Sequence, residues 1–236
     1  DLQGLPVVNI RYVPLSNTFN AMLKRIVDIF GALVAIILFS PVMLFSCIMI
    51  KLTSPGPLIY RQTRVGLHNK PFEMYKFRSM YLHAEEYLEE LQKFNQIKDG
   101  PAFKMDNDPR ITKVGSFIRR TSIDELPQLF NILKGDMSIV GPRPLLVRYL
   151  PYYREEERVR HLVRPGLTGL AQVNGRNNVD WDERLEYDKR YVSEITFLYD
   201  IKIILKTVGK VLKKSDIASG AQQIIEDLDI ERQTHT

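Results

Sequence analysis

The chain has 236 residues, of which 44% are hydrophobic and 26% charged, and 33 Lys and Arg against 28 Asp and Glu give a net charge of +5 at pH 7. This composition excludes collagen, low-complexity disorder and a protein with many membrane spans, and the single cysteine, Cys47, excludes an internal disulfide framework. A pI near 9.2 is typical of a protein with an anionic partner, such as nucleic acid, a membrane surface or a phosphorylated substrate.

Residues 1–18 are interpreted as a linker. They contain a short apolar run of strand character and are interrupted by Pro6 and Pro14, which favour turns. Because the chain begins with Asp1 rather than Met, we expect a piece of a longer protein, in which this linker follows an N-terminal region that is missing here.

Residues 26–50 form the most apolar stretch of the chain. Asp28 is its single charged residue, and residues 30–50 carry no charge. The stretch exceeds the roughly 20 residues that an α-helix needs to cross a bilayer. It begins too far from the N-terminus for a signal peptide, and no small-residue cleavage site follows it. We therefore predict a membrane helix over residues 19–52.

Two features favour a re-entrant path, in which this helix enters the membrane and returns to the same side. Ser40-Pro41 lies at the middle of the helix, and proline removes one backbone hydrogen bond there. We therefore predict two helices with a break at Ser40-Pro41. The Ser40 hydroxyl can donate a hydrogen bond to the carbonyl that is left without its backbone donor. Basic residues on both flanks draw both ends to the cytoplasm. They are Lys24, Arg25, Lys51, Arg61 and Arg64. A kinked spanning helix and a buried helix of a soluble core are the alternatives.

Residues 53–214 are predicted to form a compact domain, mainly helical with a small sheet, so the fold class is α+β. Strands are predicted at 58–66 and 71–80, and helices at 81–98, 125–134, 145–161 and 180–196. Loops or turns are expected at 99–110, in the GPRP sequence of 141–144 and in the Gly-rich segment 164–176. The polar, acidic C-terminal tail 215–236 indicates no particular structure.

Residues 200–214 have the pattern of a basic amphipathic helix. Apolar residues recur at helical spacing from Ile201 to Leu212, and five lysines occupy other positions of the segment. Such a helix suits the surface of an anionic membrane, while an ordinary surface helix packed on the core is the alternative. Beside a membrane helix, we favour the membrane-surface interpretation.

Asp124 and Glu125 are adjacent carboxylates in the segment RRTSIDELPQL (119–129) and are the first candidates for chemistry. A deprotonated Asp can attack phosphorus and form an aspartyl-phosphate. Two carboxylates together with substrate phosphates also suit Mg²⁺. The structural alternative is a plain helix start, since Ser122 and Glu125 have the spacing of a capping box.

Cationic side chains supply the second set of candidates. Arg143 lies between two prolines, so a stiff backbone can orient its guanidinium towards phosphate oxygens. Lys76 and Arg78 flank Phe77 in a predicted strand and should share one face. Each of these cations, taken alone, is more often a solvated surface charge. The four histidines lack the spacing of zinc ligands, and the chain has no nucleophile elbow or phosphate-binding loop motif.

Seven motifs in one order resemble those of the bacterial sugar transferases, the monotopic phosphoglycosyl transferases. They are KRIVDIFGA (24–32), the Ser40-Pro41 break, KLTSPGPLIYRQTRVG (51–66), YKFRSM (75–80), TSIDELPQL (121–129), KGDMSIVGPRP (134–144) and RPGLTGLAQVNGR (164–176). The resemblance covers residues 20–214, which is nearly the whole chain.

This resemblance implies the fold and the reaction. Members of the family have a re-entrant helix broken at a Ser-Pro and a catalytic domain on the cytoplasmic face of the bacterial inner membrane. They transfer a sugar-1-phosphate from a UDP-sugar to undecaprenyl phosphate and release UMP, the first membrane step of exopolysaccharide, capsule or O-antigen synthesis. The implied partners are the UDP-sugar, undecaprenyl phosphate and inner-membrane phospholipid, with no nucleic acid; larger members often pair, which leaves room for a homodimer.

The resemblance also implies roles for individual residues. Asp124 matches the family nucleophile, which forms a covalent phosphosugar intermediate, and Glu125 matches its partner. The Mg²⁺ that the family requires sits by this dyad, so both carboxylates are expected to be metal ligands. The substrate-binding candidates are all cationic: Lys76, Arg78, Arg119 and Arg143. Of these, the arginines at 119 and 143 match family positions near the phosphate.

Two other function classes are weighed against the transferase. A non-catalytic, membrane-anchored scaffold for polysaccharide assembly would keep the membrane helix but would not need Asp124, Glu125 and Arg143 together. A membrane-tethered nucleic-acid binder would explain the basic pI, but it predicts one dominant basic patch. The lysines instead concentrate in the amphipathic segment 200–214, so we favour the transferase.

Overall fold

The computed structural model describes residues 13–82, 84, 108–175, 180–213 and 228–233. The α-helices are α1 (Thr18–Thr53), α2 (Lys113–Arg120), α3 (Gln128–Lys134), α4 (Leu170–Asn174), α5 (Trp181–Glu194), α6 (Phe197–Lys213) and α7 (Leu228–Gln233). Short 3-10 helices cover Pro14–Ser16, Leu67–Asn69, Ile123–Glu125, Val147–Tyr152 and Glu155–Leu162. The strands are β1 (Ile59–Val65), β2 (Pro71–Phe77), β3 (Ser138–Val140) and β4 (Gly166–Thr168). The mainly helical fold with a small amount of sheet confirms the predicted α+β class.

Helix α1 is continuous from Thr18 to Thr53 and contains Pro41. The prediction of two helices with a break at Ser40-Pro41 is therefore wrong as a statement about secondary structure. The physical reason is visible at Ser40, whose Oγ donates to the carbonyl oxygen of Ile37 at 2.8 Å. This carbonyl lies four residues before Pro41 and is the one that loses its backbone donor. The expected compensation by Ser40 is confirmed.

Polar side chains near the start of α1 fasten it to the rest of the chain. Lys24 Nζ donates to Asp200 Oδ2 of α6 at 2.6 Å. Arg25 donates to two carbonyls in the last turn of α3, at 2.6 and 2.9 Å, where a cation also meets the negative end of the helix dipole. Asp28 is 3% exposed and accepts hydrogen bonds of 2.9 Å from Ser138 Oγ and from the next backbone N–H of β3. The one charge in the apolar stretch is therefore a buried anchor.

Beyond these anchors, one side of α1 contacts the domain along its whole length. Ala32 is fully buried against α3 and β2. Ile50, near the end of the helix, is buried with Phe77 and Ile118. Phe39 lies between these two positions and borders a large cavity. Because these contacts recur at helical spacing, both halves of α1 lie against the same domain.

The opposite side of α1 is apolar and exposed. Six large side chains on it are 62–76% exposed: Phe30, Ile37, Leu38, Leu44, Phe45 and Leu52. Within the described ranges, α1 is the one helix long and apolar enough to cross a membrane, judged by length and composition. An exposed apolar surface of this extent is typical of a membrane or protein contact. The re-entrant path stays a prediction.

Two small sheets bring distant segments of the chain together. β1 and β2 form an antiparallel hairpin in which Ile59 lies opposite Phe77. β3 and β4 are parallel, with Ser138 opposite Gly166. A Cβ on Gly166 would collide with the backbone of Gly141, so glycine is needed where the two segments approach each other this closely. This second sheet carries the GPRP turn, which follows β3 directly.

Several predicted elements are confirmed. The predicted strands at 58–66 and 71–80 correspond to β1 and β2, and the predicted helices at 180–196 and 200–214 correspond to α5 and α6. The predicted helix at 125–134 begins as the 3-10 turn Ile123–Glu125 and continues as α3. Whether α6 lies on a membrane surface stays a prediction.

Other elements differ from the prediction. Residues 145–161 form two 3-10 helices rather than one α-helix; Pro151, inside the first of them, lacks the N–H that an α-helix would use there. The segment 164–176, expected to be irregular, contains β4 and α4. The predicted helix 81–98 and loop 99–110 lie mostly outside the described residues, as does most of the linker 1–18.

Helix α7 lies within the tail 215–236, for which the sequence indicates no structure. Leu228 is fully buried in a cluster with Trp181 and Leu185 of α5. Arg232 donates two hydrogen bonds of 2.6 and 2.7 Å to the carboxylate of Glu157. This part of the tail is consequently an integral part of the domain rather than an appendage.

Candidate active site

A cavity of about 1610 Å³ lies between α1, the β1–β2 hairpin and helices α4 to α6, and all six predicted site residues border it. They are Lys76, Arg78, Arg119, Asp124, Glu125 and Arg143. Apolar side chains make up a second part of the lining, which we call the apolar wall: Phe39, Leu167, Ala171, Ile204, Val208 and Val211. The cavity therefore offers both charged groups and an apolar surface to one ligand.

The backbone before the dyad is bent by a residue in an uncommon conformation. Ser122 has φ of 56°, in the left-handed region, and its side chain makes no capping hydrogen bond. A non-glycine residue there costs of order 1 kcal/mol and is often found beside functional groups. The short 3-10 helix Ile123–Glu125 follows and presents both carboxylates. The capping-box interpretation is wrong, because the Glu125 side chain has other partners.

Glu125 is bound by two cations. Its Oε1 accepts hydrogen bonds from Lys76 Nζ at 3.0 Å and from Arg143 Nη2 at 3.1 Å. Burial alone would raise the pKa of Glu125, but the charges and hydrogen bonds of Arg143 and Lys76 outweigh it and lower the pKa to about 2. Glu125 is therefore ionised at neutral pH and holds these two cations beside Asp124.

Asp124 has a different environment from its neighbour. Its carboxylate accepts no hydrogen bond and forms no ion pair with any residue of the described ranges. Burial raises its pKa, and the charge of Glu125 raises it further, while Lys76, Arg119 and Arg143 act in the opposite direction. A carboxylate that borders a cavity and has no internal partner is available to a ligand, a metal ion or an electrophile.

Arg119 completes the group of charges around Asp124. Its Nε donates to Ser79 Oγ at 2.7 Å, which ties α2 to the residues after β2. Partial burial lowers the pKa of Arg119, and the nearby Asp124 carboxylate is the first of the influences that oppose the shift. Arg119 thus borders the cavity within electrostatic range of the open carboxylate.

Arg78 is engaged differently from the other predicted cations. It is 7% exposed, and its Nη atoms donate to the Ser54 carbonyl, the Ser54 hydroxyl and the Pro55 carbonyl at 2.7–2.9 Å. These acceptors follow the end of α1, so Arg78 fixes the turn by which α1 joins β1. Although Arg78 borders the cavity, we do not include it among the groups that hold substrate. Lys76 and Arg78 border the same cavity, but Lys76 donates to Glu125 instead.

Among the charged cavity residues that sequence reasoning did not assign to the site are Arg160, Arg184 and Asp188. Asp188 is 2% exposed on α5 and lies in register with the buried residues Leu185 and Val192. A carboxylate at a core position of an amphipathic helix is a signal that could have been read from the sequence, since buried charges are paired. The 3-10 segment that carries Arg160 gives no such periodic signal.

The donor set around the dyad fits Mg²⁺. No cluster of three or more His, Cys, Asp or Glu side chains arranged for a metal ion occurs in the described part of the chain. Mg²⁺ does not need one, since it is commonly held by one or two carboxylates, waters and substrate phosphates. Asp124, which has no internal partner, together with the second oxygen of Glu125 supplies such a set.

Together these side chains define a class of site. An open carboxylate lies beside a second, cation-bound carboxylate, with guanidinium and ammonium groups suited to phosphate oxygens. The same cavity has an apolar wall and borders α1, the long helix with an exposed apolar side. The arrangement suits a ligand that carries both phosphate groups and an apolar part.

The chain belongs to the bacterial sugar transferase family, whose profile it matches over residues 19–214. It is 43% identical to the sugar transferase EpsL of Bacillus subtilis, over 86% of this chain and 91% of EpsL. It is 46% identical to the undecaprenyl-phosphate galactose phosphotransferase of Salmonella typhimurium, over 85% of this chain and 42% of that protein. It is 44% identical to the UDP-glucose:undecaprenyl-phosphate glucose-1-phosphate transferase of Escherichia coli, over 89% of this chain and 44% of that protein. The chain thus spans less than half the length of the last two relatives.

Proposed function

We propose that this chain transfers a sugar-1-phosphate from a UDP-sugar to undecaprenyl phosphate and releases UMP. The observation that carries the proposal is the cavity in which the open Asp124 lies beside the cation-bound Glu125. The names of the Salmonella and Escherichia relatives describe the same class of transfer to undecaprenyl phosphate. A scaffold would have no need of an unpaired, half-buried carboxylate surrounded by cations.

The proposed reaction has two steps at phosphorus. A carboxylate oxygen of Asp124 attacks the phosphorus that bears the sugar, the bond from that phosphorus to the bridging oxygen breaks, and UMP leaves with that oxygen. A phosphate oxygen of undecaprenyl phosphate then attacks the same phosphorus and frees the Asp124 carboxylate. Splitting a transfer between two large phosphates in this way is the usual advantage of a covalent intermediate.

Charge stabilisation is the task of the neighbouring groups. Arg143, Arg119 and Lys76 neutralise charge on the transferred phosphoryl group and on the leaving UMP. Glu125 holds Lys76 and Arg143 in place and, with Asp124, would hold Mg²⁺. When bound, this ion would supply further neutralisation of the phosphate oxygens.

The apolar wall suits the lipid acceptor. The isoprenoid chain of undecaprenyl phosphate is apolar, and Ile204, Val208 and Val211 of α6 provide a surface for it within the same cavity as the dyad. The exposed apolar side of α1 supports a membrane location, and we propose the inner membrane with the cavity on the cytoplasmic side. A soluble nucleotide sugar and a lipid phosphate can both reach a site in that position.

The re-entrant path of α1 is a separate proposal with its own measurement. In a Cys47→Ser background, single cysteines at Asn20 and Thr53, which flank the apolar stretch, are labelled in intact spheroplasts and in inverted membrane vesicles. Both positions should react only in the inverted vesicles. Labelling from opposite sides would show that α1 spans the membrane.

The reaction is tested by UMP release in detergent with Mg²⁺ and undecaprenyl phosphate. The donors are UDP-glucose, UDP-galactose and their N-acetylated counterparts, because the relatives' names include glucose, galactose and N-acetylgalactosamine. Release of UMP with one donor, together with a lipid-linked sugar diphosphate, is the expected result. If neither this chain nor a longer protein that contains it forms UMP with any donor, the proposal is wrong.

A further inference from the structure

We propose that Arg160 is a positioning residue that sets the place of Arg143 at the phosphate, and that Asp188 and Tyr153 hold Arg160 for this purpose. The inference rests on the proposed function, because it assigns Arg143 to the phosphate of the donor. It adds a buried set of residues, the Arg160 clamp (Arg160, Asp188 and Tyr153), two of which border the same cavity as the dyad.

The hydrogen bonds of the clamp account for every nitrogen of the Arg160 guanidinium. Nε donates to Asp188 Oδ2 at 2.9 Å, and Nη1 donates to the hydroxyl of Tyr153 at 2.9 Å. Nη2 donates to the backbone carbonyl of Arg143 at 2.6 Å and lies 2.9 Å from Asp188 Oδ2. The clamp therefore ends on the main chain of the residue whose side chain reaches Glu125.

Burial makes this clamp rigid. The side chains of Arg160 and Asp188 are 2% and 3% exposed, and Tyr153 is 4% exposed. A buried guanidinium in which each nitrogen donates to an acceptor within the protein has few alternative rotamers. The carbonyl that it binds is consequently held against a fixed part of the core.

The GPRP turn is the part of the chain that needs such a hold. Arg143 is exposed, whereas Gly141, Pro142 and Pro144 around it are buried. A Cβ on Gly141 would collide with the backbone of Arg164, so the turn is fixed on one side by the second sheet. The Arg160 hydrogen bond fixes it on the other side, directly at the residue that carries the functional side chain.

The consequence for chemistry is positional. Arg143 Nη2 lies 3.1 Å from Glu125 Oε1, and a guanidinium recognises phosphate through the direction of its N–H groups. Small displacements of a group that stabilises charge reduce rates strongly. Arg160 borders the cavity but is 2% exposed, and each of its guanidinium nitrogens is bound within the protein. Loss of the clamp is therefore expected to act on the reaction chiefly through Arg143.

The test is a double-mutant cycle between Arg160→Lys and Arg143→Ala, measured as kcat/KM for the UDP-sugar. Lys at 160 keeps the positive charge beside Asp188 but cannot bind three acceptors in the guanidinium geometry. Alone, Arg160→Lys is expected to lower kcat/KM by about 10-fold to 100-fold. In the Arg143→Ala background, the same change is expected to have an effect below about 3-fold, because the group it positions is already absent.

A purely structural role gives the opposite pattern. If Arg160→Lys lowers kcat/KM equally with and without the Arg143 side chain, the positioning role is wrong. Arg190→Lys serves as the matched control, since Arg190 forms an exposed ion pair with Glu194 on α5, and it should leave kcat/KM unchanged. Circular dichroism and the Tm of each variant show whether the fold is kept.

A second variant covers the case in which Arg160→Lys does not fold. Tyr153→Phe removes a single hydrogen bond to Arg160 and leaves the ion pair, so the same cycle with Arg143→Ala decides the question. The shift in Tm that UDP produces is measured in each variant as a readout independent of turnover. If UDP binds but neither the wild-type chain nor a longer protein that contains it forms UMP with any donor, the proposed function fails. If the wild type turns over and the cycle is additive, only the positioning role fails.

Discussion

Two carboxylate–cation groups lie close together in this molecule and differ in what surrounds them. At the cavity, Glu125 and its cations Lys76 and Arg143 have side chains that are 21%, 20% and 47% exposed. Asp188 and Arg160, which border the same cavity, are only 3% and 2% exposed. The first group leaves N–H groups of Lys76 and Arg143, and the adjacent carboxylate of Asp124, for a ligand. In the second group, each guanidinium nitrogen of Arg160 donates to an acceptor within the protein. The same residue types therefore suit ligand binding where a cavity exposes them, and the positioning of a neighbour where the core buries them.

The largest expected effect is at the open group. Asp124→Asn keeps the size of the side chain but removes the nucleophilic oxygen, so UMP release should fall at least about 1000-fold. The Tm should stay within roughly 2 °C of the wild type, because Asp124 has no internal partner to lose. Appreciable residual release of UMP by this variant would contradict the assignment of Asp124 as the nucleophile.

Removal of a cation from the open group should have a smaller effect. Arg143→Ala is expected to lower kcat/KM by about 100-fold, because the phosphate loses one charged donor while the nucleophile stays in place. Arg143→Lys should recover part of this loss. Arg120→Ala, which removes an exposed arginine at the end of α2, is the control, and an equal loss there would show that net charge rather than the site matters.

A third carboxylate–cation group, at α7, tests the structural side of the comparison. Arg232 is 12% exposed and its loss would leave the buried Glu157 carboxylate without this partner. We expect Arg232→Ala to lower the free energy of unfolding by about 2 kcal/mol, less than the full cost of an uncompensated buried charge. The Tm should fall by roughly 4–8 °C. Arg190→Ala, which removes an exposed ion pair, should change the Tm by less than about 1 °C. Equal Tm shifts in the two variants would show that the buried pair contributes no more to stability than the exposed one.

His161 provides a smaller, pH-dependent effect next to the closed group. It is 5% exposed, neither ring nitrogen has a hydrogen-bond partner in the described structure, and Tyr153 packs edge-on at 5.2 Å. Burial, followed by the charges of Arg160 and Arg158, lowers its pKa to about 3. The unfolded chain binds a proton near pH 6.5 and the folded chain does not, so stability is lost as the pH falls below about 6.5, by up to ~1.4 kcal/mol per pH unit.

Thermal unfolding at pH 7.5 and pH 5.5 checks this effect. The loss of Tm on acidification should be smaller in His161→Phe than in the wild type, because phenylalanine keeps the contact with Tyr153 and does not titrate. His68→Asn changes an exposed histidine of left-handed backbone conformation and should leave the pH dependence as it is. An equal loss of Tm on acidification in the wild type and in His161→Phe would show that His161 does not cause the pH dependence of stability.

The parts of the fold that the sequence predicted are those with strong periodic or compositional signals. Helix α1 follows from its apolar length, the β1–β2 hairpin from its strand pattern, and α5 and α6 from their amphipathic spacing. The second sheet was missed because β3 and β4 have three residues each, too few for a period. Helix α7 was missed because it has only six residues, too few for a period; Leu228, Asp229 and Arg232 contact distant parts of the chain.

The candidate site shows the same division. Asp124, Glu125, Lys76, Arg119 and Arg143 were named from local motifs, and the structure brings them to one cavity. Arg78 was named by the same reasoning, but the carbonyls after α1 engage its guanidinium, and no local pattern reveals such long-range acceptors. Arg160 and Asp188 lie 28 residues apart in the chain, so their pairing and its link to the GPRP turn could be seen only in three dimensions.

The most direct test of the proposed chemistry is the mass of the protein after incubation with the UDP-sugar and Mg²⁺ in the absence of undecaprenyl phosphate. We predict a gain equal to one sugar-1-phosphate on the peptide that contains Asp124, one equivalent of UMP, and loss of the adduct when undecaprenyl phosphate is added. Asp124→Asn should show no gain. Turnover by the complete system with no adduct under any quench condition, or an adduct on another residue, would contradict a covalent intermediate at Asp124.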